Sequence, residues 1–371
     1  MMLTVLSILL AHTSTVTVNP PAVELVTMGP GDALYALWGH AALRVVDPTL
    51  HQDITVNFGS IDLSEGFWVR MLEGEVNAFV SVSPYPRTLD LYRAEDRTIE
   101  RRTLALSPEA AQRLVGSLKR WIENGRSTYR YHHFDHNCST QVADALDTAM
   151  GGALHQAHAE KVTDTFRKRA LALVQRRPFL YLGIDIALTG AADQPLVAWQ
   201  LGFLPDQLAK LLDTTEIDGH PLVVHRVVDH TRKPLREPSF PIWPWLWAYI
   251  VFAAPIALLG LKYRRIALFL FALPAGLIGT FIGLLALGTR YDFLGQNLNL
   301  LIFPPTYLAV AAGAFCRRPW AERLVQGHAR LTAASLLIAF FLWVTGIAMQ
   351  DIGPTLLFCL GPVSIFAWPR R

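Results

Sequence analysis

Residues 266–287 read IALFLFALPAGLIGTFIGLLAL. No charged side chain interrupts the run, and it exceeds the roughly 20 apolar residues that a helix needs to cross a bilayer. Four further apolar stretches flank it: Ile242–Leu261 before it, then Leu298–Phe315, Leu331–Met349 and Ile352–Trp368. Only Gln350 and Asp351 separate the last two, so that pair is either a tight hairpin of two spans or one broken pair dipping into the membrane. The pattern predicts an all-α transmembrane bundle of about five helices over 242–371.

The loops orient this bundle. Lys262, Arg264 and Arg265 follow the first stretch, Arg317, Arg318, Arg323 and Arg330 the third, and Arg370 and Arg371 the fifth. The alternate loops hold only Arg290 with Asp292, and then Asp351. Basic loops stay on the cytoplasmic side. Everything before Pro241 is therefore expected outside, with the C-terminus inside. Trp243, Trp245, Trp247 and Tyr249 then mark the outer interface, where amphipathic rings settle. At the other end, Leu3–Leu10 is an apolar run too short for a span. Residues 1–15 read as a signal peptide or an N-terminal anchor, although no Lys or Arg precedes the run.

Composition agrees with a chain of two parts. It is 52% hydrophobic and 17% charged, with a mean hydropathy of +0.29. That is too apolar for an ordinary soluble protein and too charged for a bundle alone. From Pro241 onward there are ten Lys/Arg against three Asp/Glu, so the pI of 8.8 belongs to the membrane half. The exported half lacks the basic surplus that a nucleic-acid surface requires, and no nucleic-acid partner is expected.

The half before the bundle mixes strands and helices. Ala22–Thr27, Ala41–Val46, Ile54–Phe58 and Leu222–Val228 read as strands, as does Val16–Val18. Gly29-Pro30-Gly31-Asp32 is a turn, and Pro84 with Pro86 marks a loop. Ser107 before Pro108 caps a helix bearing Leu114, Leu118, Trp121 and Ile122 on one face. A second helix should start at Cys138, with Val142, Ala145, Leu146 and Met150 on one face. Others cover Phe166–Val174 and the segment opened by Leu204-Pro205-Asp206. An α+β domain over 16–233 and a Pro-rich linker at 234–241 follow from this reading.

Three cysteines are present, and Cys316 and Cys359 lie in or beside spans. Cys138 therefore has no disulfide partner in the exported domain. An unpaired thiol in an oxidising compartment is a liability unless its reactivity is used. At a helix start, free N–H groups and the helix dipole favour thiolate. An inert thiol packed under the helix is the competing reading. His40, after Gly39 at the start of a strand, is the candidate base, and nucleophile and base of such pairs meet in space rather than along the chain. Asn57 on the next strand is the candidate for holding the imidazole, with Asp53 and His51 as fallbacks. The Cys138 N–H, with Tyr131 or Asn137, would hold an oxyanion. A rival assigns His132, His133, His136 and Cys138 to zinc. Adjacent histidines point in different directions, so the expectation is no metal and no cofactor.

Two motifs carry a resemblance. Leu37-Trp38-Gly39-His40-Ala41-Ala42-Leu43-Arg44-Val45 resembles the "GHaxxR" strand of the Lnb N-terminal periplasmic domain family. Tyr129, Tyr131, Phe134, Asn137, Cys138, Thr140 and Asp144 resemble its motif around Asn-Cys, with Ala143 standing where Arg is usual. Weaker likenesses fall at Gly74, Tyr92 with Arg97, Thr165-Phe166-Arg167, Gly183 with Asp185, Asp193, Phe203-Leu204-Pro205, and Asn297 to Leu301 before Pro304. The order, His before Cys, is similar to the permuted branch of NlpC-type papain-like hydrolases, to which lecithin retinol acyltransferase is also similar. The resemblance implies a permuted papain-like domain, with Tyr129 and Asp144 as support residues. It also implies a bacterial inner-membrane protein that moves an acyl chain from a phospholipid to the α-amine of a lipoprotein's diacylglyceryl-cysteine. Arg290, Asn297 and Asn299, at the outer mouth of the bundle, are candidates to face lipid. A cell-wall amidase or peptidase and a non-catalytic binding module are the alternatives.

Overall fold

The computed structural model describes residues 21–61, 64–123, 128–233 and 243–367. The leader reading, Val16–Val18, the whole linker at 234–241, Arg370 and Arg371 lie outside the described residues.

The N-terminal domain is α+β. Seven antiparallel strands form one sheet: β1 (Ala22–Met28), β2 (His40–Asp47), β3 (Gln52–Ile61), β4 (Asn77–Pro84), β5 (Ile99–Leu104), β6 (Thr128–Arg130) and Val223–His230. Their spatial order is β6-β4-β3-β2-β1-β5 and then Val223–His230. Alternation along the strands gives the sheet two faces. One carries Leu25, Ala41, Leu43, Val45, Val56 and Phe58, all buried against helices. Those helices are α3 (Pro108–Glu123), α4 (Cys138–Ala149) and α8 (Pro205–Thr214), after α1 (Phe67–Glu73) and α2 (Tyr85–Ala94). Leu114, Leu118, Val142, Leu146, Leu208 and Leu212 supply their apolar stripes. Fully burying a side chain of this size stabilises by roughly 1.5–3 kcal/mol. The Ser107 hydroxyl accepts the Ala110 N–H at 3.1 Å, as the capping pattern predicts.

The other face is covered by α2, where the sequence suggests a loop. Pro86 sits in the first turn of α2, where its missing N–H leaves no bond unmade. Beneath α2 runs a charged network. Arg44 forks onto Asp53 with two bonds of 2.7 Å and reaches Glu24 at 2.8 Å, and Glu24 also pairs with Arg101. Desolvation pushes the Glu24 carboxyl up, but the two arginines outweigh it and hold the pKa below the usual range.

Beyond α4 come α5 (Ala153–Ala157), α6 (Phe166–Ala172) and α7 (Pro178–Ala187). α7 is an apolar helix that the sequence reading missed, being too short for a span. It leans on the start of the first span: Phe179 packs edge-on against Trp247 at 5.2 Å. Trp243 and Tyr249 are partly exposed there, but Trp245 is buried and donates to Asp185 at 2.6 Å.

Among the described residues, three helices are long and apolar enough to cross a membrane: Pro244–Lys262, Arg264–Gly288 and Pro319–Val344. Two expected spans differ. The fifth is a helix of 15 residues, Gly353–Ala367. The third is not continuous: it breaks into Asn299–Ile302 and Tyr307–Gly313. Pro304 and Pro305 lie between the pieces, where proline removes helix bonds and clashes with the preceding turn. Phe303 and Tyr307 bury against Phe271 and Ala275 of the second span. The fourth is one unbroken helix, and the short fifth follows it after Gln350 and Asp351.

The two halves are bolted together. Arg167, 4% exposed, bonds Asp185 at 2.6 Å, Asp193 at 2.7 Å and the Leu188 carbonyl at 2.9 Å. Asp185 in turn holds Trp245 of the first span, and Asp193 accepts the Asp351 amide at 3.0 Å.

Candidate active site

The site forms where β2 begins and α4 begins. Asn137 is the N-cap of α4. Its Oδ1 accepts the amides of Ser139 at 2.8 Å and Thr140 at 3.0 Å, and the Thr140 hydroxyl accepts the Asn137 N–H at 2.8 Å. Such a reciprocal cap is worth about 1 kcal/mol. Both Asn137 amide hydrogens are also used, on the carbonyls of His133 and Phe203. Asn137 therefore has no donor left for an oxyanion and acts by fixing the helix start. The buried Ser139 hydroxyl adds a bond of 2.6 Å to the Gly202 carbonyl.

This start places the Cys138 thiol against the His40 imidazole, with which it hydrogen-bonds. Burial pushes the thiol pKa up. The His40 charge, the bond to it and the amides of Ala41 and Ser139 outweigh burial, and the net shift is downward. His40 Nε2 donates to Asn57 Oδ1 at 3.3 Å, which leaves Nδ1 for the sulfur. Register explains the second contact. Asn57 pairs with Ala42, so it is the diagonal neighbour of His40 on the same face, within reach of a long side chain. The fallbacks are elsewhere. Asp53 pairs with Val46 at the far end of the hairpin and is held by Arg44, and His51 sits in the connecting turn.

Tyr92 stacks on His40 with centroids 6.0 Å apart and planes at 24°. The Arg97 guanidinium lies over the Tyr92 ring at 4.8 Å, itself anchored on the Gly29 carbonyl at 2.8 Å. Burial lifts the Tyr92 phenol to about 12. Tyr129 and Tyr131 are raised too, first by burial and next by the Cys138 charge, so both hydroxyls stay protonated beside the sulfur.

Two glycines make the approach possible. Gly39 has φ +82°, and a Cβ there would stand 2.9 Å from the Met28 carbonyl. Gly59 has φ +79° in an irregularity of the β3–β4 pairing, and its Cβ would stand 3.3 Å from that of Cys138. Sequence reasoning missed Gly59, Tyr92's stacking role and Arg97's support. Only the resemblance to a family pattern pointed at the last two. Gly59→Ala should cost about 1–2 kcal/mol for the left-handed backbone. It should also slow iodoacetamide alkylation of Cys138, measured by peptide mapping, because the helix start must shift.

Other candidates fall outside. Asp144 is on the exposed side of α4. Asn297 donates to the carbonyls of Ile186 at 2.8 Å and Ala187 at 2.9 Å, and Asn299 to that of Ile186 at 2.9 Å. Both are buried and cap the end of α7 rather than face lipid. Arg290 pairs with Glu75 at 2.8 Å. No group of three or more His, Cys, Asp or Glu that could hold a metal forms among the described residues. His132 accepts the Asp135 amide at 3.0 Å and meets Asp292 at 3.3 Å, while His136 is exposed. His133 is packed among Tyr131, Tyr291 and Phe293, and desolvation lowers it to about 4.

A thiol, an imidazole and an amide in this order define a membrane-anchored α+β protein with a papain-like arrangement of His, Cys and Asn. Residues 10–171 match the Lnb N-terminal periplasmic domain and residues 236–363 the Lnb transmembrane domain. The chain belongs to the Lnb family, and its N-terminal domain is of the periplasmic type. No curated protein and no solved structure matches it.

The lowered thiol sets a pH expectation. A depressed pKa keeps thiolate present on the acid side of the ordinary thiol range, so the alkylation midpoint of Cys138 should lie below that range. In His40→Ala the main opposing interaction is gone while burial remains, and the midpoint should move up. A pH series of alkylation rates reads both.

Proposed function

We propose that this protein is a cysteine-dependent acyltransferase of the inner membrane, moving a fatty acyl chain from a phospholipid to the α-amine of a lipoprotein's diacylglyceryl-cysteine. The supporting observation is the Cys138–His40–Asn57 constellation on a domain bolted to a transmembrane bundle. The Cys138 thiolate attacks the ester carbonyl carbon. The oxyanion is held by the Cys138 N–H, the first-turn amide that the Asn137 cap leaves over, with Tyr131 or Tyr129 as hydroxyl donor. The C–O bond breaks, and the imidazolium gives its proton to the departing lysophospholipid alkoxide. The amine then attacks the thioester, His40 takes the amine proton, and the C–S bond breaks to restore thiolate. Asn57 holds the ring in the tautomer that both steps need.

Intact mass of the full chain after incubation with phospholipid vesicles tests the reading. A fatty-acyl adduct on Cys138, discharged by a diacylated lipopeptide with gain of an N-acyl group, supports it. Peptidoglycan fragments released without any adduct would overturn it in favour of the amidase reading.

A further inference from the structure

The segment between β3 and β4 carries apolar surface that the thiol chemistry leaves unused. α1 buries none of its residues. Trp68 is 68% exposed, Val69 57% and Leu72 45%. At positions i, i+1 and i+4 they share a stripe about 100° wide. Arg70 turns away from it, onto the Glu65 carbonyl at 2.8 Å and the Ser64 hydroxyl at 3.2 Å. An aromatic and aliphatic stripe on so short a helix needs a cover.

The contacts beside α1 say what covers it. The Glu73 carbonyl accepts the Arg290 amide at 2.9 Å, and the Arg290 side chain pairs with Glu75 at 2.8 Å. Arg290 follows directly on the outer end of the second span, whose last turns expose Leu284 and Leu287. α1 therefore stands at the level where that span leaves the hydrocarbon, which is where tryptophan and short amphipathic helices settle.

The same segment reaches the thiol. β3 runs from Asn57 past Gly59, beside Cys138, to Ile61, shortly before α1. On the return side the Gly74 carbonyl accepts Arg130 Nε at 2.7 Å, and the Val76 carbonyl accepts the Tyr131 amide at 2.8 Å. We infer that α1 is an interfacial helix that enters the outer leaflet and delivers the acyl ester of a phospholipid to Cys138. The delivery rests on the acyl-transfer reading; the placement in lipid does not.

The test uses the full chain in vesicles of phosphatidylethanolamine and phosphatidylglycerol. Trp68→Glu with Leu72→Glu should slow formation of the fatty-acyl adduct on Cys138 by about tenfold or more. Alkylation of Cys138 by iodoacetamide should hold at the wild-type rate. Lipids brominated along the acyl chain should quench wild-type emission more than that of Trp68→Phe, the difference being the Trp68 contribution. An unchanged adduct rate in the double variant, or no quenched difference, overturns the inference. Where alkylation falls along with the adduct, the quenching difference alone decides. A wild-type chain that forms no adduct sinks the acyl-transfer reading, and the quenching still decides where α1 lies.

Discussion

On the proposed reaction, Cys138→Ala will lower acyl transfer by roughly 10⁴-fold or more, a loss on the order of 5 kcal/mol in transition-state stabilisation. The thiol hydrogen-bonds the His40 imidazole, and the hydroxyl of the next residue, Ser139, is buried on the Gly202 carbonyl and does not replace it. His40→Ala should cost a similar factor, because the leaving alkoxide then departs without its proton. The double variant should be no worse than either single one, since residues that act as a unit do not add. Asn57→Ala should fall well short of this, as it removes one bond of 3.3 Å that selects the tautomer. Rates of adduct formation and of lipopeptide acylation, measured separately, check all four.

Arg167→Met will destabilise the protein by about 3–5 kcal/mol, the usual cost of removing one partner from a buried ionic cluster. The side chain is nearly wholly buried and meets two carboxylates, Asp185 and Asp193, with the Leu188 carbonyl as a third acceptor. Without it, two negative groups lie close together out of water. Arg167→Lys keeps the charge but not the fork, and should recover only part of the loss. Adding Asp185→Asn and Asp193→Asn to Arg167→Met should recover some stability, because the orphaned charges vanish. Thermal melting of the protein in detergent, followed by loss of near-UV signal, reads these differences. Since Asp185 holds Trp245 and Asp193 holds the Asp351 amide, the melting of the two halves should also separate in Arg167→Met.

The sequence carried some of this architecture openly. Apolar run length located the first, second and fourth spans, and the capping residue Ser107 and the apolar stripe from Val142 to Met150 located two helices, because these are local signals. The encounter of Cys138 with His40 was legible as chemistry, a lone exported thiol in need of a base. Other features were hidden because they depend on pairing distant in the chain. Asn297 and Asn299 read as lipid-facing by position along the bundle, yet α7, more than a hundred residues earlier, presents carbonyls for them to cap. Arg44 and Asp53 are near the catalytic motif in sequence but at the opposite end of the hairpin, where they serve the sheet. Gly59 bears no side chain to announce itself, and its role exists only once α4 lies across the bulge.

The loop that follows the second span holds the Cys motif from below. The Tyr291 hydroxyl donates to the Tyr131 carbonyl at 3.2 Å, its ring stacks on Phe293 at 4.8 Å, and both pack with His133. These props are synthesised some 150 positions after the thiol and arrive only once two helices have been threaded into the bilayer. During export the site is thus born unfinished: a chain halted before the bundle should leave Cys138 slow toward iodoacetamide, and integration of the spans is the step that completes it.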